Sequence, residues 1–294
     1  MGKVATSITE QLDLLSKRGM VIKEREKASE YLLDIGYYRM GFYWHYFEID
    51  GNHNFKGGID IETVRELYYL DFDLKYLLAK YIYRIEVHFR SQLVRIVSNM
   101  HKESPTWFMD SNIVNSAMVK VVKTLYYGND EYFKKNNLVI KKHHDKYIND
   151  MYAPAWKTLE FFTFGQINKL FRNLVDNNLK LEIASIYGYR NLRAFENHIS
   201  AIVHIRNICS HNGILFDFNQ PKGIMKIPNR NFRLKSRNQT NLNASIRLIL
   251  SVLNNISVNR TTELKDALKS IMDTARKNVE LEKIIFRKIG YDIF

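Results

Sequence analysis

The chain has 294 residues, and its 46% hydrophobic and 26% charged residues are the balance of a folded globular protein. Lysine and arginine outnumber aspartate and glutamate by 44 to 31, and the formal charge of +13 favours a polyanionic partner, although solvated lysine-rich helix faces produce the same excess. The single cysteine excludes an intrachain disulfide. No signal peptide is recognisable, and no apolar run approaches the roughly 20 residues of a membrane span, so we expect a soluble cytoplasmic protein.

The N-terminal segment has helical signals. Glycine and proline are scarce, with 13 and 4 residues, which favours an all-α fold because strand-rich folds need more turn residues. Ser7 and Glu10 form a capping box that predicts a helix start, and Gly19 can supply its stop. A second helix is expected over about 23–34, closed by Gly36.

Residues 37–47 form a very dense aromatic run. Such density is typical of a packed interior, although exposed rings could also stack on bases. The Asp50-Gly51 pair predicts a turn, and a small β-hairpin could form around it. From about 60 to 100 the pattern is helical without proline or glycine, a length that predicts two helices or one with a bend.

The remainder of the chain also has helical patterns. Two surface helices are expected within 111–149 around Gly128. The run 141–146 predicts a solvated charged face rather than a metal site, because adjacent histidines on a helix diverge by about 100° and lysines disfavour a cation. Later helices are expected from 163, over 191–210, over 241–257 and over 262–288.

No internal repeat, low-complexity tract or linker divides the chain, so we expect a single all-α unit over 1–294. It should comprise an N-terminal segment over about 1–58, a helical core over about 59–260 and C-terminal helices to 294. The N-terminal segment is then a helical extension packed on the core.

The stretch with candidate chemistry contains Arg206, Asn207 and His211, an R-N-x-x-x-H pattern at the end of an apolar-faced helix that stops at Gly213. An arginine can clamp a phosphate through two hydrogen bonds, and a histidine can move protons near neutral pH. The pair suits RNA cleavage without a metal or other cofactor, in which the ribose 2′-OH attacks the adjacent phosphorus and arginine stabilises the developing charge. An ordinary helix end can produce the same pattern by chance.

Helix geometry limits this interpretation. At about 100° per residue, Arg206 and His211 diverge by about 140° on a straight helix. The helix must loosen near 210–213, or a second chain must complete the site, and the latter predicts a homodimer. Asn207 could bond to a backbone group or hold the imidazole of His211.

Five blocks of the sequence occur in an order typical of one family. The blocks are LLSKRGMVI (14–22), ASEYLLDIGYYR (28–39), YRIEVHFRS (83–91), FTFGQINKLF (162–171) and RNICSHNGILF (206–216). Together they resemble the Abi-like (AbiD/AbiF) abortive-infection family across about 10–220.

The resemblance implies a HEPN-type helical bundle and a role in phage defence or in a toxin–antitoxin system. In HEPN ribonucleases an R-x₄₋₆-H motif is catalytic, which corresponds here to Arg206 and His211, with Asn207 as the polar residue after the arginine. Such proteins usually act as dimers or paired domains that bring two motifs together. Some relatives are associated with a small noncoding RNA.

Two further residues are candidates for a supporting role. Glu86 and Arg90 are spaced to pair on one helix, and Glu86 could support the site. His204 lies seven residues before His211, so it could line the same cleft, although burial with one hydrogen bond is the favoured alternative. Cys209 lacks a thiol-enzyme motif and is interpreted as a core residue.

A basic segment follows the motif, with no acidic residue between Phe218 and Thr262. It could follow an RNA backbone, or it could be a mobile loop with solvated charges. The candidate RNA-binding residues are Lys222, Lys226, Arg230, Arg233, Lys235 and Arg237.

The leading hypothesis is therefore an RNA endonuclease that acts in phage defence or as a toxin. The alternative is a non-catalytic RNA-binding protein that works with a small noncoding RNA, its motif serving as a helix end or a binding clamp. A third is the partner of a nucleotidyltransferase, since HEPN folds also occur beside such enzymes.

Overall fold

The computed structural model describes residues 4–211, 213–234 and 238–290, with the backbone alone at 129–134 and 290. In these residues the fold is all-α, as predicted, and contains no strand. The helices are α1 (Ile8–Lys17), α2 (Arg25–Asp34), α3 (Tyr37–Trp44), α4 (Ile61–Met100), α5 (Ser116–Asn136), α6 (Leu138–Lys146), α7 (Ala155–Thr158), α8 (Phe164–Arg172), α9 (Asn177–Ser185), α10 (Leu192–Ser210), α11 (Leu242–Ile256), α12 (Val258–Ala275) and α13 (Val279–Ile285).

The capping signals at the N-terminus are confirmed. The Ser7 hydroxyl accepts a hydrogen bond from the N–H of Glu10, and the Glu10 carboxylate accepts one from the N–H of Ser7. Gly19 and Gly36 follow α1 and α2 with φ of +93° and +89°, a backbone region that favours glycine. Helices α1 and α2 pack on each other, and α3 packs on α4.

The small β-hairpin is present only as one antiparallel bridge, between Glu48 and Phe55. The Asp50 carboxylate accepts the N–H groups of Asn52 and Asn54, so local side-chain bonds close the turn instead of a ladder of strand pairs. The aromatic run before it mainly builds core: Tyr43, Trp44 and Phe47 are buried, whereas Tyr38 is exposed.

Helix α4 is the central element of the fold. Of the two alternatives predicted for this stretch, two helices or one with a bend, the first is excluded, because 61–100 forms a single helix of 40 residues. Buried positions recur at helical spacing from Ile61 to Val97, so the apolar stripe has no break at which the helix would end. Helices α3, α8, α9, α10, α11, α12 and α13 all pack against it.

Two helix boundaries differ from the expected positions. Helix α5 runs through Gly128, and the break comes at Asn137, whose side chain caps the N–H groups at the start of α6. The single helix expected over 262–288 is two helices, because Asn278 caps a new start after α12 ends at Ala275.

The interpretation of 141–146 as a solvated face was wrong for its histidines. His143 and His144 are both buried. His144 is 2.6 Å from the Tyr126 hydroxyl, and His143 is 2.9 Å from an Asp150 carboxylate oxygen. Polar partners therefore compensate for the burial of the two rings.

One hydrophobic cluster contains buried residues from Leu12 to Ile289, so the N-terminal helices share their core with the rest of the bundle. A small satellite cluster of Tyr126, Ile140 and Ala153 lies under α5 and α6. The subdivision at about 58 and 260 stays a prediction.

The buried His198 of α10 makes stability dependent on pH. Its Nε2 lies 2.9 Å from the Met225 carbonyl oxygen, to which it donates, and its Nδ1 lies 2.6 Å from the Tyr189 hydroxyl. Burial lowers its pKa to about 4. The folded protein thus keeps the ring neutral at pH values where an unfolded chain protonates it.

We expect the free energy of unfolding to fall as the pH is lowered from about 6.5 to about 4, by on the order of 3 kcal/mol from this residue, because the unfolded state binds the extra proton. Urea unfolding at neutral and acidic pH measures the effect. His198→Gln, which cannot titrate, should lose this part of the pH dependence. An identical pH dependence in both proteins would contradict the assignment.

Candidate active site

Helix α10 positions the R-N-x-x-x-H motif. Asn191 caps its first turn, and Phe195, Ile199 and Ile205 bury one face. The helix ends at Ser210, and His211 has extended backbone angles of φ −122° and ψ 176° while its N–H still donates to the Asn207 carbonyl oxygen at 3.0 Å. The helix therefore ends immediately before the motif histidine. This is one of the two arrangements predicted from the 140° angle between Arg206 and His211, the other being completion of the site by a second chain.

Arg206 is held by an acidic residue of α4. Its Nε lies 3.5 Å from a carboxylate oxygen of Glu86, and its side chain is one-third exposed. Glu86 is buried, and its other oxygen accepts a hydrogen bond of 3.0 Å from Arg90, which confirms the pairing expected on this helix. Arg90 also donates to the carbonyl of Phe162, so the carboxylate beneath Arg206 is itself fixed in position.

His211 is exposed and lines a cavity of about 330 Å³ between the end of α10 and the faces of α3 and α4. Two cationic side chains, Arg39 and Lys75, line the same cavity, with Tyr43 and Tyr76 among its aromatic walls. Lys75 is balanced by the buried Asp71 carboxylate, 2.7 Å from its ammonium, so Arg39 is the cation that favours an anionic ligand beside the imidazole.

Arg206 and the cavity of His211 both lie against one stripe of α4. Phe72, Tyr76 and Ala79 line the cavity of His211, and Glu86, two turns beyond Ala79, contacts Arg206. These positions follow a spacing of three and four residues, which places them on one side of a helix. From Ala79 to Glu86 the helix rises by about 10 Å, so both motif residues lie along a short length of the same wall.

Asn207 and His204 face elsewhere. Both line a larger groove of about 860 Å³, on the side of α10 that packs on α8. His204 is exposed, and its Nδ1 lies 3.3 Å from the Gln220 side-chain oxygen. Both alternatives predicted for His204, burial in the core and a position in the cleft of His211, were therefore wrong. The expected alignment with His211 fails because His211 leaves the helix. Asn207 contributes its backbone carbonyl, rather than its side chain, to the His211 turn.

A buried carboxylate anchors the segment after the motif. One oxygen of Asp71 accepts the N–H groups of Leu215 and Phe216, both at 2.8 Å. The other oxygen accepts from the Tyr43 hydroxyl at 2.9 Å and lies 2.7 Å from the Lys75 ammonium. Burial and the neighbouring Asp71 charge raise the pKa of Tyr43, so its hydroxyl remains a donor.

Sequence reasoning did not identify Asp71 or Lys75. The only available signal was an acidic residue at a position where the apolar periodicity of α4 calls for a buried side chain. Cys209 is half-buried against the core, and burial raises the pKa of its thiol to about 12, in keeping with its interpretation as a packing residue.

The basic segment after the motif is divided among several surfaces. Lys222 lines the larger groove, Lys226 lines a separate cavity beside Tyr189, and Arg230 is exposed in a 3₁₀ turn. Arg233 is half-buried, and its carbonyl accepts a bond from Arg247. Lys235 and Arg237 lie outside the described residues. Their role in RNA binding stays a prediction.

Comparison with known proteins identifies the family. Residues 30–217, more than half of the chain, match the family described as Abi-like protein. The chain belongs to the Abi-like protein family. Membership suggests a role in abortive-infection phage defence. No curated protein sequence and no solved structure matches the chain.

None of the described helices combines the length and the apolar character that crossing a membrane would need. Within the same residues, no group of three or more histidine, cysteine, aspartate or glutamate side chains is placed to hold a metal ion.

We expect Asp71→Ala to lower the free energy of unfolding by about 3–5 kcal/mol, because it leaves two buried backbone N–H groups and the largely buried ammonium of Lys75 without their partner. Chemical denaturation measures this loss, and hydrogen exchange should accelerate at Leu215 and Phe216. Asp73→Ala, an exposed acid on the same helix, is the matched control and should change stability by less than about 0.5 kcal/mol. Equal effects of the two variants would contradict the anchoring role.

Proposed function

We propose that this member of the Abi-like family is a metal-independent RNA endonuclease of the HEPN type, acting in abortive infection or as a toxin. The observation that carries the proposal is that one stripe of α4 serves both motif residues at the end of α10: Glu86 contacts Arg206, and residues 72, 76 and 79 line a cavity with His211. A cation that can grip a phosphate and a group that can move a proton are the two functions that cleavage by the 2′-OH requires.

Arg206 would act as the phosphate clamp. Glu86 contacts its Nε, and the side chain as a whole is one-third exposed, so its guanidinium would bind a phosphate oxygen through the terminal nitrogens. The buried carboxylate fixes the direction of the side chain and so reduces the conformational freedom lost on binding. Glu86 is then a positioning residue, as the sequence suggested.

His211 would move the proton. Its imidazole takes the proton of the ribose 2′-OH, the 2′ oxygen attacks the adjacent phosphorus, and the bond to the 5′ oxygen breaks. Arg206 of the partner chain stabilises the charge on the non-bridging oxygens. The leaving 5′ oxygen takes a proton from a water molecule, and the protonated imidazole then returns its proton to the hydroxide. The products are a 2′,3′-cyclic phosphate and a 5′-hydroxyl.

A second chain also fits the surface around the motif. Phe72, Tyr76 and Tyr83 are each at least half exposed on the same stripe of α4. A run of exposed aromatic side chains is typical of a protein interface. We propose that two chains pair across this stripe and place Arg206 of one chain beside His211 of the other.

One observation favours a second candidate, a non-catalytic RNA-binding protein that works with a small noncoding RNA. The polar groove that contains His204 and Asn207 is larger than the cavity of His211 and could hold RNA without chemistry at the motif. His211→Ala separates the two candidates, because it should abolish an enzyme and leave an RNA-binding protein functional.

We expect His211→Ala to lower the cleavage rate by on the order of 10²–10⁴-fold, the usual contribution of a general acid–base group. It should fold normally, because His211 is exposed at a helix end. Arg206→Ala should lose activity and also bind RNA more weakly. Cleavage of an RNA substrate and thermal unfolding measure both properties.

The same assay tests the chemistry. Cleavage should persist in EDTA, leave 2′,3′-cyclic phosphates and 5′-hydroxyls, and stop when the cut site carries a 2′-deoxy ribose. A reaction that a chelator abolishes and that leaves 5′-phosphates would overturn the mechanism, as would a fully active His211→Ala protein.

We expect mixing of the Arg206→Ala and His211→Ala chains to restore activity, to about one quarter of wild type for random pairing, because only mixed dimers hold one intact site. Tyr76→Asp should make the protein monomeric in sedimentation and inactive, since it places a charge on the exposed stripe. Ile148→Asp, at a more exposed apolar position after α6, is the control. An active, strictly monomeric protein with and without RNA would contradict the dimer.

A further inference from the structure

The groove of about 860 Å³ lies between one face of α8 and one face of α10, beside the segment 220–225. From α10 it is lined by side chains spaced three or four residues apart, from Arg193 to Asn207. These positions span about 21 Å along the helix axis and end at the motif. Asn207 directly follows Arg206, so the groove ends beside the proposed phosphate-binding residue, on a different face of α10 from the cavity of His211.

The groove carries an excess of positive charge. Lys169, Arg172, Arg193 and Lys222 line it, and all four side chains are exposed. The acidic residue in its lining, Glu196, lies 3.8 Å from the Lys180 ammonium. Cations that flank a groove on both of its helices raise the local concentration of an anionic chain and can contact its phosphates.

The floor of the groove contains a buried acceptor without a partner. Asn168 is 6% exposed, and its amide nitrogen donates to the Ser200 hydroxyl at 3.2 Å. Its amide oxygen is buried and makes no hydrogen bond. Because a buried acceptor is costly to leave unsatisfied, this oxygen favours a ligand that brings an N–H group into the groove.

The wall of the groove is held in position by side-chain bonds. Asn197 accepts from the N–H of Met225 at 3.0 Å and donates to the carbonyl of Gly223 at 3.2 Å. Gln220 donates to the carbonyl of Ala201 at 3.0 Å. The segment 220–225 is thus tied to α10 at both ends, and a ligand would enter a preformed groove.

We propose that this groove binds an unpaired segment of RNA next to the cleavage site, with its phosphates at the cationic rim and a base edge at Asn168. The identity of the polyanion as RNA rests on the proposed function. The RNA must be unpaired here, because the buried amide of Asn168 can reach the edge of a base only when that base is outside a duplex. Proteins read RNA sequence mainly at such unpaired bases. The substrate class is then single-stranded RNA with a base preference at one position.

The test measures binding by the full chain carrying His211→Ala, which separates binding from cleavage. The probe is a pool of short random-sequence single-stranded RNA, compared with the same pool annealed to its complement. Lys169→Glu with Arg172→Glu should weaken binding roughly tenfold or more and reduce the slope of log affinity against log salt by about 1.4, the value for two phosphates of a single strand. Lys120→Glu with Lys123→Glu, exposed on α5 outside the groove, is the matched charge control.

Asn168→Leu should leave the salt slope unchanged and alter the sequences recovered from the pool after selection. The proposal is overturned if the groove variant and the α5 control behave alike, if duplex binds as well as the single strand, or if no RNA binds. A separate cleavage assay with His211 intact distinguishes failure of the proposed nuclease activity from failure of the proposed RNA-binding groove. Binding that depends on the groove without any cleavage would reject the nuclease alone, and cleavage with unaltered binding in the groove variant would reject the groove alone.

Discussion

The buried carboxylate of Asp71 is the interaction on which the geometry of the site depends. It accepts hydrogen bonds from two backbone N–H groups and one hydroxyl, and it lies beside one ammonium group. A charged group removed from water in this way is tolerable only when such partners surround it. These bonds connect Asp71 of α4 to α3 and to the segment after the motif. The same side chain therefore holds together the elements that surround the cavity of His211.

The two halves of the motif are held by different means. Arg206 is directed by Glu86, which also binds Arg90, whereas His211 is exposed and lies just beyond the last helical residue. Arg206 therefore has a partner that limits its orientation, and His211 is less constrained. The Glu86 contact is made at the Nε atom of Arg206, at 3.5 Å.

Local signals in the sequence predicted the parts of the fold that depend on neighbouring residues. The capping box at Ser7 and the helix that ends at Ser210 are examples, because both depend on residues within a few positions of each other. The bonds of Asp71 to Leu215 and Phe216 join residues about 145 positions apart, and no local pattern encodes them. The position of His204 was predicted wrongly for a related reason. Its predicted alignment with His211 assumed that both residues lie in one helix, whereas α10 ends at Ser210.

The uninterrupted course of α4 restricts how this protein can vary. Asp71 and Glu86 are 15 positions apart on one helix without a loop between them. One inserted or deleted residue between them would rotate everything beyond it by about 100° and shift it by about 1.5 Å. Asp71 would then keep its hold on Leu215 while Glu86 turned away from Arg206. This part of the chain can accept substitutions but not changes of length, so the number of residues between the two acids is as much a part of the site as the acids themselves.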